Sequence, residues 1–261
     1  MVNKNELFAF FEEIAPKNLA EDYDNVGLLV EGDTDEIECI VLALDADEQI
    51  VYDAKKQGAQ LILTHHPVMF RAINRLTEEE GGQRTLRRLL KTGIGLFAMH
   101  TNFDAAKDGL CDAFLDSFGE FSERSAFNGE DAGIGRVGLL KAPTTLAELL
   151  QKAKEKYANN SSLFYVGDEQ AEIKKVAVCN GGGGDLLFEA AALGADVYIS
   201  GDFKHHHARF AYENHINLIE INHYDAEIAF CTMMQKKLKA SFGDRLKVLI
   251  SGEEKSPWSC Y

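Results

Sequence analysis

The chain has 261 residues, 46% of them hydrophobic and 26% charged, which is enough apolar content for one large core or two modest ones and rules out a disordered chain. A formal net charge of -15 with no Lys/Arg-rich run argues against nucleic acid and against an anionic membrane surface as partners. No stretch reaches about 18 consecutive apolar residues, and Glu6, Glu12 and Glu13 interrupt the region where a signal peptide needs an apolar core. Five cysteines, at 39, 111, 179, 231 and 260, lack CxxC spacing and sit mostly in apolar contexts, so a cytoplasmic protein without disulfides is expected.

In chain order, Leu7, Phe8, Phe11 and Ile14 recur at helical spacing and predict a helix over 5–14, followed by Pro16, a polar turn at 22–27 and the strand GLLVEG. Strand and helix then alternate: CIVLALDAD, EQIVYDAKKQ, QLILTHH, a helix over 83–90, IGLFAMH and LCDAFLDSF. A middle section of roughly 120–160 contains GIGRVGLL and the helical LAELLQKAKEKY. The alternation resumes with VAVCN, a Gly-rich turn, LLFEAAALG, DVYIS, a helix over 207–214, INLIEI and a long final helix. Such alternation predicts parallel strands joined by right-handed crossovers.

The two halves also resemble each other. CIVLALDADEQIVYDAKKQGAQLILTHHP can be laid over KVAVCNGGGGDLLFEAAALGADVYISGDFKHH, and each half then supplies one more strand ending in His-x-x-x-acid. The expected fold is therefore α/β, with two similar lobes related by a pseudo-twofold and facing a shared metal cleft. Lobe 1 covers about 1–125 and lobe 2 about 126–261 in a single bilobal domain.

Seven of the eight histidines lie at or just beyond the end of an apolar run, where open α/β sheets build their sites. His65 and His66 end LILTHH, His100 ends IGLFAMH, His205, His206 and His207 follow DVYIS, and His223 follows INLIEI. Just past a strand end and before Pro67, both His65 and His66 can turn into one cleft. Asp104 lies four residues after His100 and Glu227 four after His223, so each pair shares one face if it opens a helix. Imidazole with carboxylate and without thiolate suits zinc, iron, manganese, cobalt or nickel. A bridging carboxylate fits two cations about 3.5 to 4 Å apart. His65, His66, Asp104, His223 and Glu227 are the expected ligands, and His100 is a sixth ligand, a proton-transfer group or a structural residue.

Other signals are weaker. At most one or two of His205, His206 and His207 face the cleft, and His215, which precedes its strand, is read as structural. CNGGGGDLLFEAA (179–191) is either a tight turn or an anion cradle at a helix start. GIGRVG (133–138) reads as a bend in a strand. Asp24 and Asn25 read as a turn that can also lie near the site, while Asp45 and Asp202 are either carboxylates that orient ligand imidazoles or helix caps.

The succession DNVGL, ALDA, LTHHPVMF, HTNFDAA, GIGRVG, GGGG, ISGDFKHH and NHYDAE resembles the NIF-three-like dinuclear-metal-centre family, the GTP cyclohydrolase I type 2 homologues, nearly end to end and in order. The resemblance implies a two-lobed α/β fold, a toroidal homohexamer and two metal ions per subunit on the five residues already named. It favours His206 over its neighbours as the histidine of the motif after Gly-Asp. The middle section leaves no room for the inserted domain of larger members, and Asn222 stands where a Gly usually precedes the last His.

The expected function is metal-dependent hydrolysis of a small anionic substrate, with His100 or His206 moving protons and, for a GTP-like nucleotide, opening of the imidazole ring. The alternatives are a non-catalytic metal-handling or regulatory ring and a protein-interaction scaffold.

Overall fold

In a computed structural model that describes residues 1–157 and 163–259, the chain divides into two compact units. The first is Met1–Phe103 with Ile228–Lys255, and the second is Asp104–Glu227 with the tail that begins at Ser256.

The first unit opens with β1 (Val2–Asn3) and α1 (Lys4–Ile14), whose first turn is capped by the Asn3 side chain accepting the Asn5 N–H at 3.0 Å. Next come β2 (Gly27–Val30), β3 (Glu36–Ile37), β4 (Cys39–Ala43), α2 (Glu48–Lys56), β5 (Leu61–Thr64), α3 (Gly81–Thr92) and β6 (Gly95–Ala98). The short α4 (Thr101–Ala105) contains the boundary between the units. Every residue of β4 and β5 is buried, which is why these runs are continuously apolar rather than alternating. α2 is capped by Asp47, which accepts the Ile50 N–H at 2.8 Å.

The second unit contains α5 (Leu110–Leu115), β7 (Phe121–Ser125), β8 (Arg136–Thr145), α6 (Leu146–Tyr157), β9 (Phe164–Val166) and β10 (Glu172–Val178). It continues through α7 (Leu187–Ala192), β11 (Val197–Ser200), α8 (His205–Glu213), β12 (Asn217–Glu220) and α9 (His223–Glu227). Its sheet runs in the order β7-β8-β10-β11-β12-β9, with β10, β11 and β12 parallel and antiparallel strands on both sides. The last elements, α10 (Ala229–Phe242) and β13 (Lys247–Ile250), return to the first unit. There β13 pairs in parallel with β4, completing a sheet in the order β13-β4-β5-β6-β2 in which only β2 is antiparallel.

The α/β class read from the alternation holds in each unit. Residues 104–125 belong to the second unit because Phe114, Leu115 and Phe118 pack with Ile173, Val176 and Val178. The C-terminal stretch belongs to the first because the edge of β4 gives β13 its hydrogen-bond partners. Among the described residues no helix is long and apolar enough to cross a membrane. Cys39, Cys111, Cys179 and Cys231 are free and buried, and Cys260 lies outside the described residues.

Candidate metal-binding residues

In the first unit, the carboxyl ends of β5 and β6 deliver His65, His66 and His100 to one place. Their ring centroids stand 5.1 Å (His65–His66), 5.1 Å (His65–His100) and 5.4 Å (His66–His100) apart. The three offer ligand nitrogens within 4.8 Å of one another. Each ring is anchored through Nδ1: His65 to the Met99 carbonyl at 2.8 Å, His66 to Asp45 Oδ1 at 2.9 Å and His100 to Asp24 Oδ1 at 2.9 Å. A carbonyl or an ionised carboxylate can only accept, so Nδ1 carries the proton and the lone pair lies on Nε2. That is the arrangement in which outer partners orient metal-ligating imidazoles. Asp24 also accepts the Thr101 N–H at 3.0 Å and the Thr101 hydroxyl. Burial works to raise the Asp24 carboxyl, but the hydrogen bonds from His100 and Thr101 outweigh it and hold the pKa at about 2.

In the second unit, β12 ends in α9, which places His223 and Glu227 one turn apart with Nε2 and Oε2 at 3.0 Å. The other ring nitrogen of His223 bonds Asp202 Oδ2 at 2.7 Å. Burial opposes the charged imidazolium, yet the carboxylates of Glu227 and Asp202 overcome it and raise the His223 pKa to about 9. A metal ion taking Nε2 therefore has to displace a proton. Asp104 and Glu227 are both buried, and one amide serves both: Asn180 Nδ2 donates to Asp104 Oδ1 at 2.8 Å and to Glu227 Oε1 at 3.2 Å. The Cys111 thiol in turn donates to Asn180 Oδ1 at 2.9 Å, which fixes the orientation of the amide.

The Gly-rich stretch is a close-packed turn. Gly181 has φ +62°, and a Cβ there would overlap Glu227 Oε1. The Gly183 N–H is taken by Ser200 Oγ at 3.1 Å, and the helix that follows, α7, has six residues.

His205 and His206 are exposed, and His207 is buried at the start of α8. His206 packs its ring on His207, with centroids 4.2 Å apart, and with His207 and Asp185 it makes a second group of candidate ligand atoms. His207 is oriented against that use: its Nδ1 accepts the Lys204 N–H at 3.1 Å, so the proton sits on Nε2 and points to Asp185 Oδ1 at 3.2 Å. His215 adopts φ +58° after α8, a turn position.

Asp45 and Asp202 orient imidazoles, one of the two roles read for them. Asp24 takes the same role toward His100, and no pattern distinguishes it from a turn aspartate. Asn180 carries no signal beyond its position at the end of an apolar run. Arg136, inside the GIGRVG stretch that the sequence marks only as a bend in a strand, is 1% exposed. Its Nε and Nη2 donate to the two Asp112 oxygens at 2.7 and 3.2 Å, and Nη2 also reaches the carbonyls of Ala105 and Ala106 at 3.1 and 2.9 Å, just after Asp104.

Residues 2–257 match the family model described as Duf34/NIF3 (NGG1p interacting factor 3). The chain belongs to the Duf34/NIF3 family. It is 36% identical over 258 residues to a Clostridium perfringens protein named GTP cyclohydrolase 1 type 2 homolog, covering 97% of this chain and 98% of that one. It is 30% identical to the Schizosaccharomyces pombe Protein NIF3 homolog over 94% of each chain. Among solved structures it resembles reduced HcgD from Methanocaldococcus jannaschii, with TM-score 0.84, 29% identity and coverage of 96% of this chain and 98% of that one. The Staphylococcus aureus hypothetical protein SA1388 matches with TM-score 0.87 and 25% identity over 99% of each chain.

Proposed function

We propose that this Duf34/NIF3 protein is a divalent-metal-dependent hydrolase in which His65, His66, Asp104, His223 and Glu227 hold two metal ions per subunit. The observation that carries the reading is the anchoring of His65, His66 and His223 through Nδ1 by an acceptor, which leaves Nε2 as the nitrogen available to a metal, at His223 in place of the proton it shares with Glu227. The donor set fits: imidazole nitrogen, which at His223 gives up a proton on binding, and buried carboxylate oxygen suit a first-row divalent ion, and no thiolate is needed. Bound there, the ions would supply Lewis-acid polarisation of a scissile centre and lower the pKa of a water to the neutral range.

The chain's own groups supply the rest. Asn180 holds Asp104 and Glu227 with one amide, so neither carboxylate needs a cation to be hydrogen-bonded in place. His100, fixed by Asp24, presents a basic Nε2 to accept a proton and return it. Proton transfer is assigned to His100 and not to His206, whose ring packs on His207 at the exposed start of α8. The names of the Clostridium perfringens and related proteins support a nucleotide substrate and hydrolytic ring opening. Homohexameric assembly and a cytoplasmic address belong to the same reading.

The test is turnover of GTP and other nucleotides by wild type, by chelator-treated protein and by His100→Ala. Metal-dependent turnover that His100→Ala abolishes while keeping its metal supports the reading. Turnover that survives chelation, or none by fully metal-loaded protein on any nucleotide, overturns it.

A further inference from the structure

Two aromatic side chains of the first unit lie open to solvent beside the histidines: Tyr23 is 64% exposed and Phe70 45%. They meet edge to face, with centroids 6.0 Å apart and planes at 63°. Phe70 in turn meets the His100 ring at 6.1 Å and 82°. Leaving this much aromatic surface in water forgoes burial energy, which makes an exposed pair next to a site informative. The pair is also held in place. Asp24, which follows Tyr23, accepts from His100 and Thr101, and the Asn25 amide donates to the Met69 carbonyl at 2.7 Å, one residue before Phe70. The two loops are thus tied to each other and to His100. Immediately after Phe70, Arg71 and Arg75 are exposed and enter no ion pair among the described residues, in a chain with net charge -15.

We infer that Tyr23 and Phe70 form an aromatic platform that binds a planar heteroaromatic ring carrying an anionic tail, with Arg71 and Arg75 receiving the tail. A planar ring is the ligand that gains most from such a pair, because stacking uses its whole face while Phe70 stays against His100. The inference rests on the proposed function in taking the His65–His66–His100 cluster as the reacting end of the site.

Calorimetric titration tests it with guanosine monophosphate, adenosine monophosphate and ribose 5-phosphate, the last carrying the tail without the ring. The proteins are wild type, Tyr23→Ala, Phe70→Ala and the milder Phe70→Leu, each checked for fold by circular dichroism and for metal content. At least one nucleotide is expected to bind wild type more tightly than ribose 5-phosphate does, and to lose about tenfold in affinity in each alanine variant. Ribose 5-phosphate binding is expected to stay the same in all four proteins. Nucleotides that bind no better than ribose 5-phosphate, or equally well to wild type and variants, overturn the platform. Metal content of the same samples reports separately on the metal reading, so the two failures are distinguishable.

Discussion

His66 donates its Nδ1–H to Asp45 Oδ1 at 2.9 Å, across the ends of the neighbouring strands β5 and β4. His223 and Asp202 repeat the relationship at 2.7 Å on the neighbouring strands β12 and β11. In both pairs the carboxylate holds the Nδ1–H and sets the ring direction, so in the proposed site it would act on metal affinity without being a ligand. Asp45→Ala is expected to keep its fold and to lose 10- to 100-fold in metal affinity, about the range for outer-shell partners. Competition with a fluorescent chelator measures it, and unchanged affinity would leave Asp45 as a surface acid.

Gly181 sits at φ +62° against Glu227. Gly181→Ala adds backbone strain and pushes the Glu227 carboxylate out of place. The expected result is folded protein with reduced metal content, measured by elemental analysis beside circular dichroism.

Asp24 sets an acid limit on stability. Its folded-state pKa of about 2 lies below the ordinary value of 3.8, so its contribution is fully present above about pH 4 and disappears as pH falls through about 2. The stability difference between wild type and Asp24→Asn in urea unfolding is expected to be largest at neutral pH and to shrink between about pH 4 and 2. A pH-independent difference contradicts that account.

Arg136 and Asp112 form a bidentate pair, with side chains 1% and 9% exposed. Arg136→Met leaves Asp112 buried without its cation and is expected to cost about 3–5 kcal/mol in denaturant unfolding. Adding Asp112→Asn is expected to recover part of the loss, because the uncompensated charge is then gone.

Much of this organisation was legible in the sequence. Strands buried on both faces give unbroken apolar runs, so LILT and VYIS stand out, and histidines just past such runs end up where the sheet delivers side chains. Asp45 and Asp202 were readable as imidazole partners because each follows a strand. Asp24 and Asn180 were not, because their roles depend on which loop meets which, and a turn residue that bonds its own backbone looks the same. Arg136 is not legible because the glycines around it mark only a bend, while the observed burial depends on Asp112, 24 residues away. The return of β13 to β4 was missed because a short final strand carries no signal of the edge it joins.

Metal content per subunit, on untagged protein purified without added metal or chelator and beside a His65→Ala, Glu227→Ala double variant, tests the central claim most directly. The account predicts about two equivalents of a first-row divalent metal in wild type, lost in a variant that remains folded. Wild type that takes up no metal even after reconstitution, or a variant that keeps the wild-type amount, would contradict it.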